Sequence, residues 1–140
     1  MLNAESTNFM EIKITDANKM GGSINSYINY TVSTTSNMEG FGSGDNIVNR
    51  RYSDFVWISE QLAREYPGVV IPPIPEKETI GFSSFGMTSA SKIDSRKRGL
   101  EKFLQRVAQH QQLAYSKSFT GFLSVQDLAS VKSGAKSGSK

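Results

Sequence analysis

Ile47-Val48-Asn49-Arg50-Arg51-Tyr52-Ser53-Asp54-Phe55 changes its period in the middle. Ile47 to Tyr52 reads as a strand, and from Phe55 the apolar residues Phe55, Ile58, Leu62 and Tyr66 recur at helical spacing. Ser53 or Asp54 can cap that helix by accepting a backbone N–H. Two arginines and an aromatic ring therefore stand where a strand hands over to a helix. A guanidinium fork suits a phosphate monoester, and a ring packs on the flat face of a sugar-like headgroup. An exposed arginine pair on an edge strand explains Arg50 to Phe55 without any ligand.

Upstream, Met10, Ile12 and Ile14 alternate with Phe9, Glu11 and Lys13, which predicts a strand with one dry face. Asp16 to Ser23, with Gly21-Gly22, reads as a turn, and Tyr27 to Thr34, rich in aromatic and β-branched residues, as a second strand. Asn37 to Asn46 carries three glycines and reads as a loop. Three strands on short connections predict an antiparallel meander.

Downstream, Pro67-Gly68 stops the first helix, and Val69 to Pro75 cannot be helical because each proline removes an N–H and biases its predecessor toward extended backbone. Pro72-Pro73-Ile74-Pro75 predicts a polyproline segment. It also fits a minimal PxxP ligand, against which stands a purely structural reading as a stiff wall. From Ile93 to His110, Leu100, Phe103, Leu104 and Val107 form one helical stripe interrupted only by the weak helix former Gly99. Leu113 to Leu128 predicts one or two short terminal helices. Residues 1–8 read as an N-terminal extension, 9–128 as one α+β domain, and 129–140 as a disordered Ser/Gly/Lys tail or linker. The architecture expected is a three-stranded antiparallel meander packed against a helical subdomain, with the polyproline segment between the two main helices.

The chain of 140 residues has 37% hydrophobic and 21% charged residues, an ordinary composition for one domain. No apolar run approaches the roughly 20 residues that span a bilayer, so any membrane contact is expected to be peripheral. The N-terminus lacks the pattern of a signal peptide and there are no cysteines, which predicts a cytoplasmic setting and excludes thiolate chemistry. Lys132, Lys136 and Lys140 account for the net charge of +3, leaving 13 basic against 13 acidic groups in the rest. A neutral domain has no bulk attraction for nucleic acid, so anion binding must come from a local cluster. With His110 as the single histidine, beside no nucleophile motif, catalysis is not expected, nor is a metal site or a cofactor.

Arg51-Tyr52-Ser53-Asp54-Phe55, then Pro72-Pro73-Ile74-Pro75 with Lys77, then Arg96-Lys97-Arg98-Gly99-Leu100-Glu101-Lys102-Phe103-Leu104 resemble, in this order, the phox-homology (PX) domain, and within it the retromer-associated sorting nexins. The resemblance covers roughly Asn8 to Leu123. It implies a lipid-binding module that recruits a sorting nexin to endosomal membranes carrying phosphatidylinositol 3-phosphate. Arg51 would grip the 3-phosphate, Tyr52 pack under the inositol ring and Lys77 meet the 1-phosphate. The family places a further arginine in the second helix, and Arg96, Lys97 and Arg98 compete for that position. At about 100° per residue, Arg96 lies about 30° from the centre of the apolar stripe, Lys97 about 70° and Arg98 nearly opposite, which selects Arg96. Ile80, Phe82, Phe85 and Met87 resemble the family's membrane-inserting loop; folding back onto the core is the other reading. Arg50 and Lys92 are spare cations for a second phosphate, so the 3,5-bisphosphate stays open. Retromer or another sorting coat is the implied protein partner, through the full-length chain. The rival reading is a protein-interaction module that uses the PxxP segment or a sheet edge.

Overall fold

The computed structural model describes residues 8–22, 26–42, 44–76 and 89–138. Alternating side chains build three strands, β1 (Met10–Met20), β2 (Tyr27–Ser36) and β3 (Asp45–Arg51), in an antiparallel sheet of order β1-β2-β3. One face is dry: Val32 lies between Ile14 and Val48 in the register, and all three are buried. β1 runs on to Met20, through the segment expected to turn at Asp16. A bulge between Ile14 and Asp16 inserts one residue, so the inward positions become Ile12, Ile14 and then Ala17, opposite Tyr30. The extra residue breaks the period of two that marks a strand in sequence, which is why the sequence suggests a turn from Asp16.

The first helix, α1 (Tyr52–Glu65), buries Phe55, Ile58 and Leu62. It starts earlier than expected: Arg51, two residues before Ser53 and three before Asp54, is the extended N-cap, and the Asp54 carboxylate accepts the Arg51 N–H at 2.8 Å. Pro67 and Gly68, the latter at φ 91°, then turn the chain into the extended proline segment. The long helix α2 (Ser89–Gln109) buries Leu100, Phe103, Leu104 and Val107 as its stripe predicts. It lies along β1, where Glu101 accepts the Ile14 N–H at 2.9 Å and Gln105 donates to the Ile12 carbonyl at 3.1 Å. Backbone groups that a free edge strand would offer to another chain are thus taken by helix side chains.

After a short 3-10 turn (Leu113–Tyr115), α3 (Lys117–Ser124) is capped by Ser116, which accepts the Phe119 N–H at 3.1 Å, and buries Phe119, Phe122 and Leu123. The segment expected to be a disordered tail is instead helical, α4 (Leu128–Gly138). Leu128 and Val131 give it a narrow apolar face, and Gly121 admits that face to α3: a Cβ there would lie 2.9 Å from Val131 Cγ1. Lys132 adds an ion pair with Asp54 at 3.5 Å and sits 5.6 Å over the ring of Trp57, which packs against the core. Two apolar residues one turn apart suffice to dock a short helix, and composition averaged over the stretch hides them.

Candidate functional site

Arg50 and Arg51 are neighbours on one strand, so their side chains leave opposite faces of the sheet. Arg50 points inward and is 1% exposed. Its Nε donates to the Phe122 carbonyl at 2.9 Å, Nη1 to the carbonyls of Asn49 at 2.9 Å and Gln126 at 3.1 Å, and Nη2 to that of Val125. The guanidinium also lies 5.3 Å from the Phe122 ring centre. Burial lowers the Arg50 pKa from its ordinary value, with Asp54 and Asp127 acting against that shift. Arg50 is a clamp between β3 and the end of α3. It is not a spare cation for a second phosphate, because every edge of its fork faces a backbone carbonyl.

Arg51 points outward and is exposed. Its guanidinium carbon lies 4.0 Å from the centre of the Tyr27 ring, and among the described residues no carboxylate pairs with it. Asp54, the nearest acid in sequence, is already committed to the Arg51 N–H and to Lys132.

Tyr52, the first residue of α1, donates its hydroxyl to the Pro75 carbonyl at 2.6 Å and so ties the proline segment to the start of the helix. Pro75 reaches this position because Gly99 has no side chain: a Cβ on Gly99 would lie 2.5 Å from Pro75 Cγ. One turn before Leu100, Arg96 places its guanidinium 4.7 Å over the Tyr52 ring. The end of β3, the proline segment and α2 therefore converge on Tyr52. Of the three basic residues competing for this place, Arg98 is turned away and paired with Asp94.

Beneath the stack, Tyr30 is fully buried, edge-on to Phe55 at 6.0 Å, and its hydroxyl has no well-formed hydrogen bond. Burial pushes its phenol up from the ordinary value, and the nearby Arg96 guanidinium pulls the other way. Sequence reasoning missed Tyr27, Tyr30 and the Pro75 carbonyl. Tyr27 was legible only through register, since it stands two residues before Asn29, the cross-strand partner of Arg51.

Lys77, Ile80, Phe82, Phe85 and Met87 lie outside the described residues. His110 accepts the N–H groups of Gln112 at 3.0 Å and Leu113 at 3.2 Å through Nδ1, a structural cap at the end of α2. A hollow of about 620 Å³ elsewhere is lined by Asn8, Met38, Tyr115 and Lys117 among others, and by none of the residues around Tyr52.

An antiparallel meander followed by helices, with a basic and aromatic cluster where they meet, defines an α+β binding module. The chain belongs to the PX domain family, whose pattern it matches over residues 38–126. It is 36% identical over 119 residues to sorting nexin 1 of Arabidopsis thaliana, covering 85% of this chain and 29% of that one. Among solved structures, a designed CISK-PX domain superposes with a TM-score of 0.64 at 31% identity, covering 81% of this chain and 97% of the other. The SNX-BAR Mvp1 tetramer gives a TM-score of 0.70 at 30% identity, over 89% of this chain and 33% of that one. The chain thus spans less than a third of the sorting nexin it resembles.

Proposed function

We propose that this PX module binds the headgroup of phosphatidylinositol 3-phosphate and so holds a sorting nexin on the cytosolic face of endosomal membranes, for endosomal sorting and retrograde transport. The observation that carries the reading is the convergence on Tyr52: Arg96 stacked on its ring, its hydroxyl fixed to Pro75, and Arg51 beside it with no acidic partner among the described residues. In this reading Arg51 takes the 3-phosphate as a bidentate fork, Tyr52 packs against the inositol ring and Arg96 donates to ring hydroxyls. Lys77, two residues beyond Pro75, meets the 1-phosphate. Ile80, Phe82, Phe85 and Met87 enter the acyl boundary nonspecifically, and the two weak contacts act together on one surface. No helix among the described residues is long and apolar enough to cross a membrane, which fits a peripheral mode. Retromer or a related coat would bind through the longer chain.

The burial of Arg50 favours the monophosphate over the 3,5-bisphosphate, since one of the two cations considered for a second phosphate is consumed internally. The rival protein-interaction reading loses ground on two counts. Helix side chains close the β1 edge at Ile12 and Ile14, and Pro75 is held by Tyr52 and Gly99. Titrating the domain with short-chain phosphatidylinositol 3-phosphate tests the proposal by nuclear magnetic resonance. Shifts centred on Arg51, Tyr52 and Arg96 are expected. Shifts elsewhere, or none, would overturn it.

A further inference from the structure

Tyr27 belongs to β2, in a different part of the sequence from the three motifs of the site. Asn29 faces Arg51 in the register, and side chains two apart on a strand share a face, so Tyr27 stands diagonally across from Arg51. A diagonal pair lies within reach of an aromatic and a long side chain. The contact is made: the Arg51 guanidinium carbon is 4.0 Å from the Tyr27 ring centre.

A guanidinium resting on a ring face is held by its flat side, while its N–H groups point outward in the plane. This contact differs from an ion pair in what it leaves free, because a carboxylate would occupy the same N–H edges that a phosphate needs. The nearby acid is kept out of competition. Asp54 accepts the Arg51 backbone N–H with one oxygen, at 2.8 Å, and faces Lys132 with the other, at 3.5 Å. Arg51 is therefore placed on an exposed surface with no carboxylate partner among the described residues.

We propose that Tyr27 is a positioning residue for Arg51, an aromatic rest that fixes the guanidinium with its fork open toward an anionic phosphate monoester. The inference rests on the headgroup reading above and adds a residue to it. Long, flexible arginines lose rotamer freedom on binding, and a side chain already restrained loses less. The effect is on affinity through Arg51, and the ring is its source; the Tyr27 hydroxyl takes no part.

The test uses phosphatidylcholine vesicles with and without phosphatidylinositol 3-phosphate, the wild-type domain, and the variants Tyr27→Phe, Tyr27→Leu and Arg51→Ala. Tyr27→Phe should bind within about twofold of wild type, and Tyr27→Leu about two- to fivefold more weakly, the range of an exposed cation–π contact. The Arg51 Nε–H resonance gives a readout that simple strand destabilisation does not move. It should show an upfield ring-current shift in the wild type and in Tyr27→Phe, and lose it in Tyr27→Leu. Equal binding by Tyr27→Leu, an equal loss in Tyr27→Phe, or an Arg51 resonance indifferent to both variants overturns the positioning role while leaving the headgroup reading intact. Arg51→Ala binding like wild type, or no lipid-dependent binding at all, sinks the headgroup reading and this inference with it.

Discussion

Gly99 and Pro75 touch where a side chain on Gly99 would not fit: a Cβ there would come within 2.5 Å of the proline ring. In sequence Gly99 is the weak point of an otherwise regular helical stripe. In the fold it is the notch through which the proline segment crosses α2 and brings the Pro75 carbonyl to Tyr52.

Replacing Gly99 by alanine should expose that trade. Helix propensity alone favours alanine by up to about 1 kcal/mol. The overlap with a rigid ring opposes it, and overpacking typically costs about 1–3 kcal/mol. We expect unchanged helix content by circular dichroism, no gain in thermal midpoint, and weaker lipid binding as Pro75 and Tyr52 shift.

The adjacent arginines should respond in opposite ways. Arg50→Ala leaves the buried carbonyl of Phe122 and the partly buried ones of Val125 and Gln126 without their donor and opens a cavity, so urea denaturation should show a loss of about 3 kcal/mol or more. Arg50→Lys should recover little of it, since an ammonium cannot reproduce the fork. Arg51→Ala, on the exposed side, should stay within about 0.5 kcal/mol of wild type.

Much of this arrangement is legible in the sequence, and the rest is hidden for physical reasons. The meander, the two main helices and the side of α2 on which Arg96 lies follow from local periodicity, which helices and regular strands preserve. The bulge after Ile14 breaks periodicity in a strand that continues, so it read as a turn. Arg50 looks like surface because its partners arrive from residues 122 to 126, and no local pattern announces them. The apolar contact of helix α4 comes, among the described residues, from Leu128 and Val131, too few to stand out of a Ser/Gly/Lys stretch. Tyr27 meets Arg51 only once the register is fixed.

Helix α4 should therefore be part of the folded unit. Val131→Ser removes a half-buried side chain seated on Gly121 and should cost about 1 kcal/mol, read as a lower thermal midpoint. Lys132→Ala, which breaks a partly exposed pair, should cost no more than about 1 kcal/mol.

Tyr30 gives a pH signature. Its folded-state pKa is raised by burial, so the folded state holds the phenolic proton more tightly than the unfolded chain. The resulting stability is fully present below the unfolded value of about 10 and is lost as pH rises through the higher folded value. Tyr66 is raised as well, by burial and then by Glu65, and acts in the same direction. Tyr30→Phe should flatten part of the alkaline fall in stability. At neutral pH it should be close to neutral in effect, because the hydroxyl it removes has no well-formed hydrogen bond.

The central claim is that an outward arginine at the end of β3 reads a lipid phosphate. Co-sedimentation with liposomes carrying each phosphoinositide in turn, wild type beside Arg51→Ala at matched thermal midpoint, tests it most directly. Sedimentation with phosphatidylinositol 3-phosphate that Arg51→Ala abolishes is the expected result. Sedimentation that survives the substitution, or none with any 3-phosphorylated lipid, would contradict it.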